Sequence, residues 1–176
     1  MSKAGRHPDM NLLLFPEIEA NKIFLRFIEE RKYKSMLDVG GKGKPKWLKL
    51  EYSASNINGK PEFINDDICD SKIQSNSFDV VYSHYVFEHL LNPFEAAKHC
   101  VRICKEGGLL YHVTVFSWPL HIAPIDCFRY THTGLAHIFE RTNQVKTIKC
   151  GYSQKEIPDR WIVTYLGEKY TGGNNE

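Results

Sequence analysis

The feature that most constrains this chain is a repeated alternation: short apolar runs that end in glycine or polar residues, separated by stretches with helical spacing. Ser35–Val39, Trp47–Tyr52, Glu62–Ile68, Ser77–Ser83, Leu109–Phe116, Val145–Tyr152 and Trp161–Leu166 read as strands. Glu17–Tyr33 reads as an amphipathic helix after Pro16, with Ala20, Ile23, Phe24, Phe27 and Ile28 on one side. A second helix is predicted from Asn92 as N-cap, Pro93 in the first turn and Glu95 completing a capping-box-like arrangement. Its apolar stripe is Phe94, Ala97, Val101 and Cys104, and Gly107-Gly108 is expected to end it. Thr133–Arg141 reads as a short helix with Leu135, Ile138 and Phe139 inward. Such alternation predicts an α/β domain.

With 176 residues and 42% hydrophobic content, the chain is long enough for one real core and too short for two comfortable ones. Lys+Arg 23 against Asp+Glu 21 leaves a net charge of +2, which provides no large positive field and disfavours a dedicated nucleic-acid role. No apolar run approaches the roughly 20 residues of a membrane span, and the opening residues lack the apolar core of a signal peptide. A cytoplasmic location is expected. The five cysteines, Cys69, Cys100, Cys104, Cys127 and Cys150, are irregularly spaced and read as reduced packing residues. His99, Cys100 and Cys104 share a helix face, but no second ligand pair accompanies them, so no metal is expected there.

In an open parallel sheet, ligands bind at the carboxyl ends of the strands. Asp38-Val39-Gly40-Gly41-Lys42-Gly43 follows the first strand, a turn whose missing side chains let a ligand approach the backbone. Asp66, Asp67 and Ile68 follow the third strand, and Ser83 and His84 follow the fourth, with Glu88-His89 on the next helix. These positions are expected to converge on one cleft. Neither a dinucleotide fingerprint nor a P-loop fits the glycine turn: Lys stands where the third glycine should be, and no Lys-Ser or Lys-Thr pair follows at P-loop spacing.

The ordered series Met36 to Gly43, Asn65 to Ile68, Ser77 to Val81, Val86 to Leu90 and Lys105 to Leu110 resembles class I S-adenosylmethionine-dependent methyltransferases over about half the chain. Pro124 to Thr131, with Gly134-Leu135, is similar to a segment of small-molecule and sugar-modifying members. The resemblance implies a single-domain Rossmann-like three-layer sandwich, mostly parallel, with an antiparallel C-terminal strand. The domain is expected over residues 1–170, with a helix at 17–33, a cofactor core at 35–116, substrate-side and closing strands at 117–170, and a frayed tail at 171–176. The cofactor implied is S-adenosylmethionine, leaving as S-adenosylhomocysteine. Asp38, Gly40, Gly41 and Gly43 would surround its methionine part and ribose, Asp67 and Ile68 its adenine, and Ser83 and His84 the floor near the methyl group.

The chain departs from the family pattern directly after Gly43. Pro45 follows almost at once, so the usual helix is expected to be short or missing, and Glu51, the nearest candidate for the acid that grips the ribose, arrives early. Tyr52 or Asn56 would stand in if Glu51 points to solvent. Lys42, Lys44 and Lys46 read as a solvated loop that could also hold a phosphate. Related enzymes that bind a metal through Glu-His carry a second glutamate three residues earlier, where this chain has Tyr85. Two ligands are thin for a catalytic cation, so no metal is expected, and Glu88 is read as orienting a loop or capping a helix.

Methyl transfer needs alignment and, for a hydroxyl acceptor, a base. His121 and Asp126 are the substrate-side candidates, with His84 a third. Arg129 could hold an acidic substrate or pair with Asp126, and Phe116, Trp118, Phe128 and Tyr130 could wall the acceptor site or complete the core. The expected acceptor is a small molecule such as a sugar or metabolite. A homo-oligomer, a partner chain or a large substrate would complete an otherwise open acceptor side. A catalytically silent binding or assembly protein, or a nucleotide-sugar or NAD binder, is the alternative.

Overall fold

The computed structural model describes residues 14–44, 48–57, 63–122, 125–156 and 159–170. The expectations for Pro45, Lys46, Trp47, Glu62, Pro124 and the tail 171–176 lie outside the described residues. Three helices, α1 (Glu17–Arg31), α2 (Pro93–Ile103) and α3 (His132–Glu140), flank a sheet of β1 (Ser35–Val39), β2 (Glu51–Ser55), β3 (Phe78–His84), β4 (Cys104–Ser117), β5 (Val145–Gln154) and β6 (Trp161–Lys169). The strand order is β2-β1-β3-β4-β6-β5. β1 to β4 are mutually parallel, and β6 runs antiparallel to both β4 and β5.

The sheet is covered on both faces, so its central strands are apolar at successive positions. Met36, Val80, Leu109 and Tyr111 enter a core with Phe15, Ala20 and Phe24 of the α1 side. Leu37, Val81 and Leu110, one position along, enter the opposite core with Ala97, Val101, Leu135 and Phe139 of α2 and α3. This is the expected three-layer arrangement, with an antiparallel strand near its C-terminal edge. All five cysteines are free thiols, Cys100 and Cys104 fully buried. Among the described residues, no helix is long and apolar enough to cross a membrane.

Four local expectations are corrected. β2 begins at Glu51, because its register with Ser35–Val39 starts there; Leu48 and Leu50 enter the α1-side core ahead of it. The strand expected at 62–68 is reduced to one bridge, Ile64 with Ser55. Asp66 and Asp67 take the backbone N–H groups of Lys72 and Cys69 at 2.8 and 2.9 Å, curling the chain into a 3-10 turn at Ile68–Asp70 instead. Gly107-Gly108 does not end α2, which stops at Ile103; it forms a bulge in β4 beside Asp79, with Gly107 at φ +71. Phe94 lies off the buried stripe, 41% exposed, with Arg141 over its ring.

Candidate active site

The chain leaves β1, runs to β2 on one side, then crosses to β3 on the other, which makes the carboxyl ends of β1 and β3 the topological switch point. A cleft opens there, lined by Val39, Gly40, Lys42, Ser55, Asn56, Ile57, Asp66, Asp67, Ile68, Tyr85, Val86, His89 and Leu90.

Gly40 has φ +69, and a side chain there would meet Val86 Cγ2 at 2.7 Å. Its N–H donates to Ser55 O at 2.7 Å, tying the turn to the end of β2. At Gly41 a Cβ would meet Asp38 Oδ2 at 2.6 Å and the Tyr52 hydroxyl at 2.7 Å. Asp38 is therefore packed beneath the turn, 7% exposed, and accepts a 2.8 Å bond from Tyr52. Burial pushes its carboxyl up to about 6, against the opposing pull of Tyr52 and His84. Gly43 is open: a Cβ there would meet nothing within 4 Å among the described residues.

Asp67 stands exposed at the cleft wall with Ile68 buried beside it, so both expected adenine positions line the cleft. Asp66 lines it too, and its Oδ2 is buried with no partner among the described residues. Glu51 does not reach the cleft. It pairs in register with Ser35, at the amino ends of the strands, while β2 delivers Ser55 and Asn56 to the carboxyl edge. The Ser55 hydroxyl is buried without a partner among the described residues. Ser83 is likewise not on the cleft wall: fully buried, it meets His112 Nδ1 at 2.8 Å. Burial alone pushes His112 down to about 3, so the imidazole is neutral.

His84 stands on the α1 side, 3.3 Å from Glu17 and edge-on to Tyr85. Tyr85, at φ +57, and Val86 form a cleft wall that the sequence pattern does not announce. A bulky residue in the left-handed region directly after a strand is the kind of strain that sites retain, but no sequence signal marks it.

The acceptor-side candidates come together beyond β4. Arg129 grips Asp126 with both terminal nitrogens and donates to Trp118 O at 3.1 Å and Pro119 O at 3.3 Å. Of its two readings, the loop strut is the one the geometry takes. The guanidinium, with the His121 N–H, holds Asp126 well below the usual carboxylate range, which removes it as a base at neutral pH. Asp126 instead orients His121, whose Nδ1 is 3.2 Å from Oδ2. Tyr130 completes the core and donates to Phe87 O at 2.9 Å. Glu88 neither caps a helix nor faces solvent: it is fully buried, and its backbone oxygen takes the N–H groups of Cys127 and Phe128.

A glycine turn, an acidic turn and a buried carboxylate gathered at the switch point of an open parallel sheet define a Rossmann-like cofactor-binding domain. Residues 42–112 match the family described as a methyltransferase domain. The matched segment runs from the glycine turn into β4, and so takes in the cofactor side of the sheet. Among solved structures, it resembles the Burkholderia thailandensis 1,6-didemethyltoxoflavin-N1-methyltransferase, crystallised with 1,6-didemethyltoxoflavin and S-adenosylhomocysteine. The TM-score is 0.68 at 12% identity, covering 84% of this chain and 76% of that one. The [4+2]-cyclase SpnF matches at TM-score 0.64 and 13% identity, over 89% of this chain and 84% of that one. A chain from the complex of the Haloferax volcanii Trm112 methyltransferase activator matches at 0.62 and 16%, over 90% and 100%. No curated protein sequence matches.

Proposed function

We propose that this domain holds S-adenosylmethionine in the cleft between Gly40 and Ile68 and passes its methyl group to a small acceptor, a sugar or metabolite, arriving beside His121. The observation that carries the reading is Asp38. A carboxylate that is nearly dry, supported by one phenol and raised to about 6, is stabilised by a cation placed against it, and the cofactor's methionyl ammonium is such a group. Gly40, Gly41 and Gly43 let the ligand approach the backbone above it. Asp67 and Ile68 take the adenine amine and ring, and Ser55 with Asn56 replaces Glu51 at the ribose. His121, aligned by Asp126, is the base for a hydroxyl acceptor, while His84, paired with Glu17 on the α1 side, is left out of the cleft lining.

Leu91, Leu120 and Ile122 flank the acceptor-side residues in sequence and stand 76%, 75% and 76% exposed. A second copy or a partner protein that covers them would close the acceptor side. A second reading, a domain that binds ligand without transferring methyl, draws on the likeness to a [4+2]-cyclase, because one fold hosts unrelated chemistries.

Calorimetry with S-adenosylmethionine and S-adenosylhomocysteine tests the proposal, followed by labelled-methyl transfer to a panel of sugars and small metabolites. Micromolar binding of both, weakened in Asp67→Ala, supports it. Binding of neither removes it, and binding without transfer to any acceptor class favours the second reading.

A further inference from the structure

Three side chains on the acceptor side form a donor set of which methyl transfer as described uses only His121, whose part as base a bound ion would take over. Glu88 and His89, on the 3-10 turn Phe87–His89, meet His121 from the loop after β4, and one ligand atom from each lies within 4.8 Å of the others. The two imidazoles stand edge to face, their centroids 4.9 Å apart.

Each of the three is oriented by a partner behind it. His89 Nδ1 is bound to Ile125 O, and His121 Nδ1 lies between Pro119 O and Asp126 Oδ2, both at 3.2 Å. With Nδ1 carrying the proton toward these acceptors, the Nε2 lone pairs remain for a ligand. Glu88 Oε2 takes the Thr114 hydroxyl at 2.7 Å, and its Oε1 stands 4.0 Å from His89 Nε2. Oε1 is buried and has no hydrogen-bond partner among the described residues. A buried carboxylate oxygen left in that state is costly. The one guanidinium nearby does not relieve it, since Arg129 is committed to Asp126 and two carbonyls.

We infer that Glu88, His89 and His121 bind a first-row divalent cation of the zinc class. Two imidazole nitrogens and one carboxylate oxygen suit such ions, whereas magnesium and calcium favour all-oxygen shells. The backing of each imidazole by a carbonyl or carboxylate is the outer arrangement that metal-bound histidines use. Bonds of about 2.1 Å require the three atoms to close by about an ångström on the ion. Sequence spacing offers only two of these ligands, because the third, His121, lies 32 positions past His89. Because His89 also lines the cofactor cleft, the ion would stand at its acceptor end and favour an oxygen acceptor, whose hydroxyl it would acidify. That last point rests on the methyl-transfer reading; the metal site does not.

The test is titration of the chelator-stripped, tag-free full chain with Co2+, read by visible absorption and metal analysis, with no cofactor present. One Co2+ per chain is expected, with a nitrogen–oxygen ligand-field band and no thiolate charge-transfer band, and Zn2+ should displace it. Glu88→Gln and His121→Ala should each weaken binding by at least about 100-fold, the upper end of what losing an outer partner alone does. The cation should raise the Tm of the native chain but not of Glu88→Gln, whose own metal-free Tm should equal or exceed the native value and so report intact folding. No stoichiometric binding, equal affinity in both variants, a thiolate band, or displacement by millimolar Mg2+ would each overturn the assignment. Because neither cofactor nor turnover enters the titration, its failure leaves the methyl-transfer proposal standing, and the reverse also holds.

Discussion

The two halves of the carboxyl edge are built in opposite ways. On the cofactor side, a backbone turn at Gly40-Gly41 covers one buried carboxylate that has a single phenol for support. On the acceptor side, Thr114 holds the Glu88 carboxylate, Asp126 ties His121 to Arg129, and the Glu88 backbone oxygen joins the two groups, all drawn from three separate segments. The first half is shaped by what is missing, the Cβ atoms, and the second by what is present. A glycine turn can be read and broken locally, whereas an interlocked cluster exists only once the loop after β4 has folded back on the turn after β3.

The sharpest way to break this contrast is Gly40→Val. It adds a left-handed valine whose Cβ would overlap Val86, so a loss of roughly 3 kcal/mol is expected in denaturant unfolding, with cofactor binding abolished in calorimetry. A valine there that binds normally would remove the turn from the site.

Asp38→Asn should act in the opposite direction on stability. Folding raises this carboxyl from about 3.8 to about 6, so the folded chain holds the proton more tightly than the unfolded one. Its stabilising contribution is full below about 3.8 and is lost as pH rises through about 6. Near pH 8 the asparagine variant should therefore be more stable without ligand, by on the order of 2 kcal/mol, while binding the cofactor at least about tenfold more weakly. Stability measured against pH in both proteins would decide: parallel curves would mean that Asp38 is not the buried charge.

Ser83→Ala leaves His112 Nδ1 without its partner in the core, and about 1 kcal/mol should be lost in thermal unfolding while cofactor affinity changes by less than about threefold. A large affinity loss would return Ser83 to the cleft. The smallest effect is expected of Glu51→Ala, within about 0.5 kcal/mol in stability and without change in binding, because Glu51 lies at the far end of β2.

What is legible in the sequence follows the same division. The turn at Gly40, the Asp67-Ile68 wall and the Asn92 cap depend on neighbours a few residues away, and each stands where the pattern places it. Glu51 is misplaced by the pattern because side-chain spacing does not reveal strand register: a start four positions later than Trp47 moves it from one edge of the sheet to the other. Ser83 is misplaced because strand-end residues alternate between faces, and only the packed sheet shows which face His112 occupies. The grouping of Glu88 and His89 with His121 needs the path of a loop that carries no periodicity at all.

β6 leaves the ribosome after every other described strand, yet its place is inside the sheet, between β4 and β5. Until residues 161–169 emerge, the β4 edge from Leu109 to Ser117 has no strand partner on that side, and β5 has only the bridge of Tyr152 with Leu14. A nascent chain with four paired strands and a vacant slot presents an apolar, hydrogen-bonding edge, the kind of surface that invites aggregation or chaperone capture. Translation therefore delivers this domain as an unsealed sheet whose closure is its final act.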